Sequence, residues 1–167
     1  MPMLNLMIDV DRELAFSADR VWEILRDFAR LDALMPAISH LHLRRHQDGL
    51  LREALCHGRP LLHQLLVRDD DERRLCYQIL HAHGIGPDDG AVVCMVTRST
   101  CRNGHCLLSW SLRLRKLPSW LPAGSEEVFN RHARAVIEEN IDHLCHSLHR
   151  GGSTAEAGEE HGSCHHQ

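Results

Sequence analysis

The chain predicts an α+β domain in which a curved antiparallel sheet of about seven strands wraps one long C-terminal helix. Two observations carry this. Residues 125–149, SEEVFNRHARAVIEENIDHLCHSLH, repeat Val128, Phe129, Ala133, Val136, Ile137, Ile141, Leu144 and Leu148 at three- and four-residue steps. That spacing is one broad apolar stripe on a helix of roughly six to seven turns. From Ile38 to Lys116 the apolar period is instead near two, over six segments separated by turn-forming residues. A helix this long cannot bury its stripe alone, and the sheet supplies the partner surface.

Each element has its own local signal. Residues 8–16 alternate partly (Ile8, Val10, Leu14, Phe16) and predict the first strand. Ser17 is a candidate N-cap, and Phe16 with Val21 forms a hydrophobic staple. Val21, Trp22, Leu25 and Phe28 share one face of the short helix that follows, and residues 30–34 suit a further turn ended before Pro36. The strands then run from Ile38, with Leu41 and Leu43 alternating, and over 50–57, 61–68, 74–82, 91–101 and 105–116. QDG, HGRP, RDDDE, HGIGPDDG and RNG punctuate them, Asn103-Gly104 being the strongest hairpin signal. LPSWLPAG leads into the long helix. Ser125 is its expected N-cap, Glu126 and Glu127 suit its positive start, and Gly151-Gly152 is expected to stop it. The expected division is one domain over 1–150 and a disordered Gly/Ser/Glu/His-rich tail over 151–167.

With 167 residues the chain can bury a real core. Net charge is −4 with both signs interspersed, which argues against nucleic acid as the main partner. No apolar run approaches the ~20 residues of a membrane span. The start lacks a basic n-region and a cleavage site. Seven cysteines without a CxxC pair then read as reduced thiols and a cytoplasmic location. Aromatics make up only 4% of the chain, so Trp22, Tyr77 and Trp110 stand out.

The order of elements, with SADRVWEILRDFARLDALMPAI near the start, resembles the START-like SRPBCC superfamily, which includes the birch-pollen allergens. Within it the chain looks most like the polyketide cyclase/dehydrase and lipid-transport families. GLLREALCHGRPLLHQLLVRDDDERRLCYQIL is similar to the family pattern of G-x-x-R-E, a Leu before an acidic turn, and a Tyr shortly after Arg-Arg-Leu. SWSL and the long helix resemble its closing strand and helix. The similarity covers about Ile8 to Leu148 and implies the helix-grip fold, with an internal cavity between sheet and helix. A looser similarity joins the plant abscisic-acid receptors. His57–Pro60 lies where their gating loop lies, His83–Pro87 near their second closing loop, and Asn140 at a ligand-facing helix position. Ser39 replaces the basic residue that meets the hormone's acid group there, so hormone binding is not implied.

The resemblance implies a cavity, and pattern assigns its lining: Ser39, Leu41, Glu53, Leu55, Tyr77, Ile79, Trp110 and Leu112 from the strands. The strand over 61–68 is apolar at both parities, and there the resemblance favours Leu62, Gln64 and Leu66. Phe129, His132, Ala133, Val136 and Asn140 follow from the helix, and Gly58, Pro60 and the segment 84–87 act as gates. Two functions follow. One is a carrier or sensor of a small hydrophobic molecule such as a polyketide, lipid or aromatic metabolite. The other is a cyclase, aromatase or dehydratase in which Glu53, His132 and Tyr77 move protons. Against the second, Glu53 can pair with an Arg at the sheet rim, and His132 can lean to solvent. Asn140 can orient a ligand or satisfy a strand carbonyl. His40-x-His42, His81-x-His83 and His143/His146/His149 lack a completing carboxylate or Cys, so no metal or other cofactor is expected. Trp120, between two prolines, can lid the cavity, touch a membrane, seat a second copy in a homodimer, or tuck under the helix start.

Overall fold

The computed structural model describes residues 6–47 and 49–163. In chain order the elements are β1 (Leu6–Leu14), α1 (Ala18–Leu25), a 3-10 turn (Leu31–Ala33), β2 (Ile38–His46), β3 (Gly49–Cys56), β4 (Arg59–Asp69), β5 (Arg74–His81), a second 3-10 turn (Pro87–Asp89), β6 (Ala91–Ser99), β7 (Cys106–Leu114) and α2 (Glu126–Ser163). The strands make one curved antiparallel sheet ordered β1-β7-β6-β5-β4-β3-β2, the expected helix-grip arrangement with α2. β1 and β2 are its two edges.

Ser17 caps α1 as its type predicts: its backbone is extended and its hydroxyl accepts from Arg20 N–H at 3.2 Å. Val21, Trp22 and Leu25 are buried on one face, and Trp22 Nε1 donates to Asp70 in the β4–β5 turn. Ser125 behaves differently from expectation. Its carbonyl accepts from Phe129 N–H, but its hydroxyl donates back to the Pro122 carbonyl at 2.6 Å, so it fastens the preceding loop.

α2 buries Ala133, Ile137, Ile141, Leu144 and Leu148 against Ile8, Val10, Leu108, Trp110 and Leu114. Polar bonds fix its tilt at β1. Arg12 reaches Asp142 at 2.6 Å and the Glu138 carbonyl, and Arg134 donates to the Asp9 carbonyl at 2.7 Å. Farther along, Arg20 donates to the Leu148 carbonyl and Ser147 to the Ala33 carbonyl. The helix therefore leans chiefly on β1 and the 31–33 turn.

Two expectations are corrected, and the β6–β7 hairpin is found with a longer loop. α2 runs through Gly151-Gly152 to Ser163, because a helical glycine costs only about 1 kcal/mol and good helix formers (Ala155, Glu156, Ala157) follow. Residues 164–167 lie outside the described residues. Cys76 and Cys94 are disulfide-bonded rather than reduced, because the β5–β6 register sets them directly opposite each other. Cys56, Cys101, Cys106 and Cys145 are free thiols. Asn103-Gly104 sits inside a longer connection over 100–105, since the ladder ends at Ser99↔Cys106.

Candidate functional site

Cross-strand partners lie on the same face of a sheet, so register decides which residues meet. On β3 and β4, Arg52 pairs with His63 and Ala54 with Leu61, all buried on the face turned to the core. Their neighbours Glu53↔Leu62 and Leu55↔Pro60 consequently occupy the opposite, outer face, as does Gln64, which alternates with His63. This reverses the inward parity expected for Glu53, Leu55, Leu62 and Gln64. Apolar residues at both parities of β4, and β-bulges at Leu62/His63 and Leu65/Val67, hide the true phase from a period-two reading. Leu66, expected inside, is 47% exposed.

On the inner face a polar cluster fills the space beside β3, β4 and β5. The Arg52 guanidinium donates to His63 Nδ1 at 2.7 Å and to the Phe28 carbonyl at 3.0 Å. It lies 3.9 Å from the Phe28 ring centroid and 4.9 Å from that of Tyr77, while His63 stacks on Tyr77 at 4.4 Å. All three polar residues are almost wholly buried. Burial pulls the Arg52 pKa down to about 10 and pushes the Tyr77 phenol up. Burial, aided by the Arg52 charge, holds His63 well below 6.5. An imidazole accepting at Nδ1 beside a guanidinium must be neutral with its proton on Nε2. None of these hydrogen-bond partners is a carboxylate. The cation is instead held by lone pairs and two aromatic faces.

The β3–β4 and β5–β6 turns lie at the same end of the sheet, since Leu62 near the start of β4 pairs with His81 at the end of β5. Both turns are two residues long, closed by Cys56↔Arg59 and by Ala82↔Ile85. Both carry positive φ at both central residues: His57 (52°) with Gly58 (76°), and His83 (44°) with Gly84 (85°). That is the type I′ geometry matched to strand twist. Trp120 packs directly over Gly84, where an added Cβ would strike the indole. Trp120 is nevertheless 61% exposed, so it covers the β5–β6 turn and does not tuck under the start of α2. Half-buried apolar side chains collect towards this end: Ile79, Ile85, Leu41 and, from α2, Phe129. Val136, on the same edge of the helical stripe, is exposed.

His83 is held below its ordinary value, first by burial and then by Arg59, His57 and His132. These charged groups are all basic. His132 is therefore an exposed helix residue within electrostatic reach of His83.

A groove of about 470 Å³ over β2–β5 is lined by the outer-face residues Glu53, Leu55, Pro60 and Leu62, by His40, His42 and His81, and by Ala54 and Leu61. Glu53 is neutralised at its rim by Arg44 (2.7 Å), with His42 at 3.7 Å. Ser39 is exposed beside the Ser39/His42 bulge. Tyr77, Ile79, Trp110, Leu112, Phe129 and Asn140 do lie on the core side, and Gly58 sits in its turn. Sequence reasoning missed Arg52 and His63, and it placed His57, Arg59 and His83 only within two candidate gating segments. The repeated His-Gly dipeptide was the available signal for the turns. No group of three or more metal-ligating side chains is assembled among the described residues.

The family model for polyketide cyclase/dehydrase and lipid transport matches residues 7–147. The chain belongs to that family. No curated protein matches it. Among solved structures, an uncharacterised Bacillus thuringiensis protein superposes with a TM-score of 0.69 at 18% identity, covering 86% of this chain and 98% of that one. A Thermobifida fusca solution structure gives 0.68 at 21% identity, covering 86% and 93%. Norcoclaurine synthase from Thalictrum flavum, in complex with dopamine and hydroxybenzaldehyde, gives 0.65 at 15% identity, covering 89% of each chain. At these identities the likeness confirms the helix-grip fold of this polyketide cyclase/dehydrase and lipid transport member. No helix among its described residues is long and apolar enough to cross a membrane.

Proposed function

We propose that this family member binds a small, largely apolar molecule between the inner face of β3–β5 and α2, as a carrier or sensor. The observation that carries the reading is the asymmetric seating of α2. The helix is bolted to β1 by Arg12 and Arg134, while at its opposite edge Phe129 is only half-buried against the core and Val136 is exposed. Apolar surface left half-open beside a sheet is what an apolar ligand would cover. The two His-Gly turns and Trp120 ring the opening, and the Arg52–His63–Tyr77 cluster closes the inner end. The catalytic alternative loses its support in these residues. Glu53 lies on the outer face paired with Arg44, His132 is in solvent, and Tyr77 is sealed, so they do not converge on one substrate atom.

The neutral fluorophore N-phenyl-1-naphthylamine tests the reading. Saturable binding to the wild type is expected, with at least a tenfold loss in Phe129→Arg, which places a charge in the opening. Absence of saturable binding, or full binding by a folded Phe129→Arg variant, would overturn it.

A further inference from the structure

The two turns at the opening share a chemistry that their geometry does not require. A type I′ turn needs two residues with positive φ, and Asn-Gly, Asp-Gly or Gly-Gly fills it with least strain. Both turns here use His-Gly, holding His57 and His83 in the left-handed region. Strand order puts the turns at the same end of the sheet, since β4 begins where β5 ends (Leu62↔His81). Arg59 closes the first turn, and His132 approaches from α2. Four basic side chains from three elements thus lie towards one end of the sheet. The buried acid of the β5–β6 loop, Asp89, is turned away to accept from the Gly86 N–H at 2.9 Å.

We propose that His57, Arg59, His83 and His132 form a cradle for an anionic group, so that the bound molecule is an amphipathic carboxylic acid. Its carboxylate stays at the mouth while its apolar body lies against Ile79, Phe129 and Val136. This rests on the ligand-binding reading above and adds the class of ligand. Arg59 supplies a permanent charge and directional donors, and carboxylate–guanidinium hydrogen bonds are among the stronger ones available. The outer groove also carries histidines, but its rim already holds the Glu53 carboxylate paired with Arg44, which leaves less positive potential for a second acid.

The test displaces N-phenyl-1-naphthylamine at pH 7 with two matched pairs: dodecanoate against methyl dodecanoate, and 2-naphthoate against methyl 2-naphthoate. In the wild type at least one acid is expected to compete at a tenfold or lower concentration than its ester. In a His57→Asn/Arg59→Gln/His83→Asn variant, whose turns Asn suits better, acid and ester should become equal within twofold. No acid preference in either pair, or a preference that survives in the variant, overturns the proposal while leaving the ligand-binding reading standing. Loss of acid preference in His42→Gln/His81→Gln would move the acid to the outer groove and overturn it too. Failure of the fluorophore to bind the wild type would remove both readings together.

Discussion

Arg52 is a cation kept in the core by His63 Nδ1, the Phe28 carbonyl and two aromatic faces. Removing either polar partner strands the other, and an unsatisfied buried group costs about 1–3 kcal/mol. Arg52→Met should therefore lower unfolding free energy by about 3 kcal/mol, since it orphans two acceptors. His63→Phe should do comparable damage, and the double variant should lose at least about 1 kcal/mol less than the sum. Urea melts of the four proteins measure this. Additive losses would show that the two side chains stabilise independently. His63 also sets a pH dependence. Its pKa lies well below 6.5 when folded, so between the folded and unfolded values the unfolded chain holds the extra proton. Its contribution is complete above about pH 6.5 and is lost as pH falls. Thermal melts from pH 8 to pH 5 should show a decline that His63→Phe flattens. At this scale sequence was a poor guide. Glu53 attracted attention as a carboxylate on a strand, yet its face depends on register, and register is set by bulges that leave no mark in the hydrophobic pattern.

At the scale of elements, the matched His-Gly turns invite a comparison of their glycines. Both Gly58 and Gly84 have positive φ, so an Ala at either place pays about 1 kcal/mol or more in backbone strain. Around Gly58 a Cβ meets nothing, whereas at Gly84 it collides with Trp120. Gly58→Ala should therefore lower stability modestly and leave the tryptophan emission unchanged. Gly84→Ala should lower it further and shift the emission, because Trp22 and Trp110 are buried and Trp120 is the tryptophan displaced. Equal spectra in both variants would contradict the seating of Trp120. The elements themselves were legible: seven strands and two helices follow from changes of period. What stayed hidden was how α2 tilts. Arg12 to Asp142 and Arg134 to the Asp9 carbonyl are contacts between distant parts of the chain that only the folded sheet brings together.

For the whole molecule, the sheet is tied across its middle by Cys76–Cys94, eighteen residues apart in sequence. Removing a bond that closes a loop of this length costs about 3 kcal/mol in the chain-entropy account. Cys76→Ser should accordingly lower the urea midpoint of oxidised protein, and dithiothreitol should bring the wild type to the same value. No change with reductant would exclude the bond from the stability of the native state. The bond was not legible because cysteine count and spacing speak to frameworks, and one opposed pair within a ladder is a product of register. The two sheet edges end differently. β1 lies under α2, whereas β2 runs bare, broken by the Ser39/His42 bulge and studded with His42, Arg44 and Arg45. A straight, apolar outer strand is a template on which identical chains can stack into fibrils. Here any incoming strand would lose its ladder at the bulge and meet like charge at successive steps. β2 thus terminates growth, and concentrated solutions of this protein should hold discrete particles, with no thread of chains joined edge to edge.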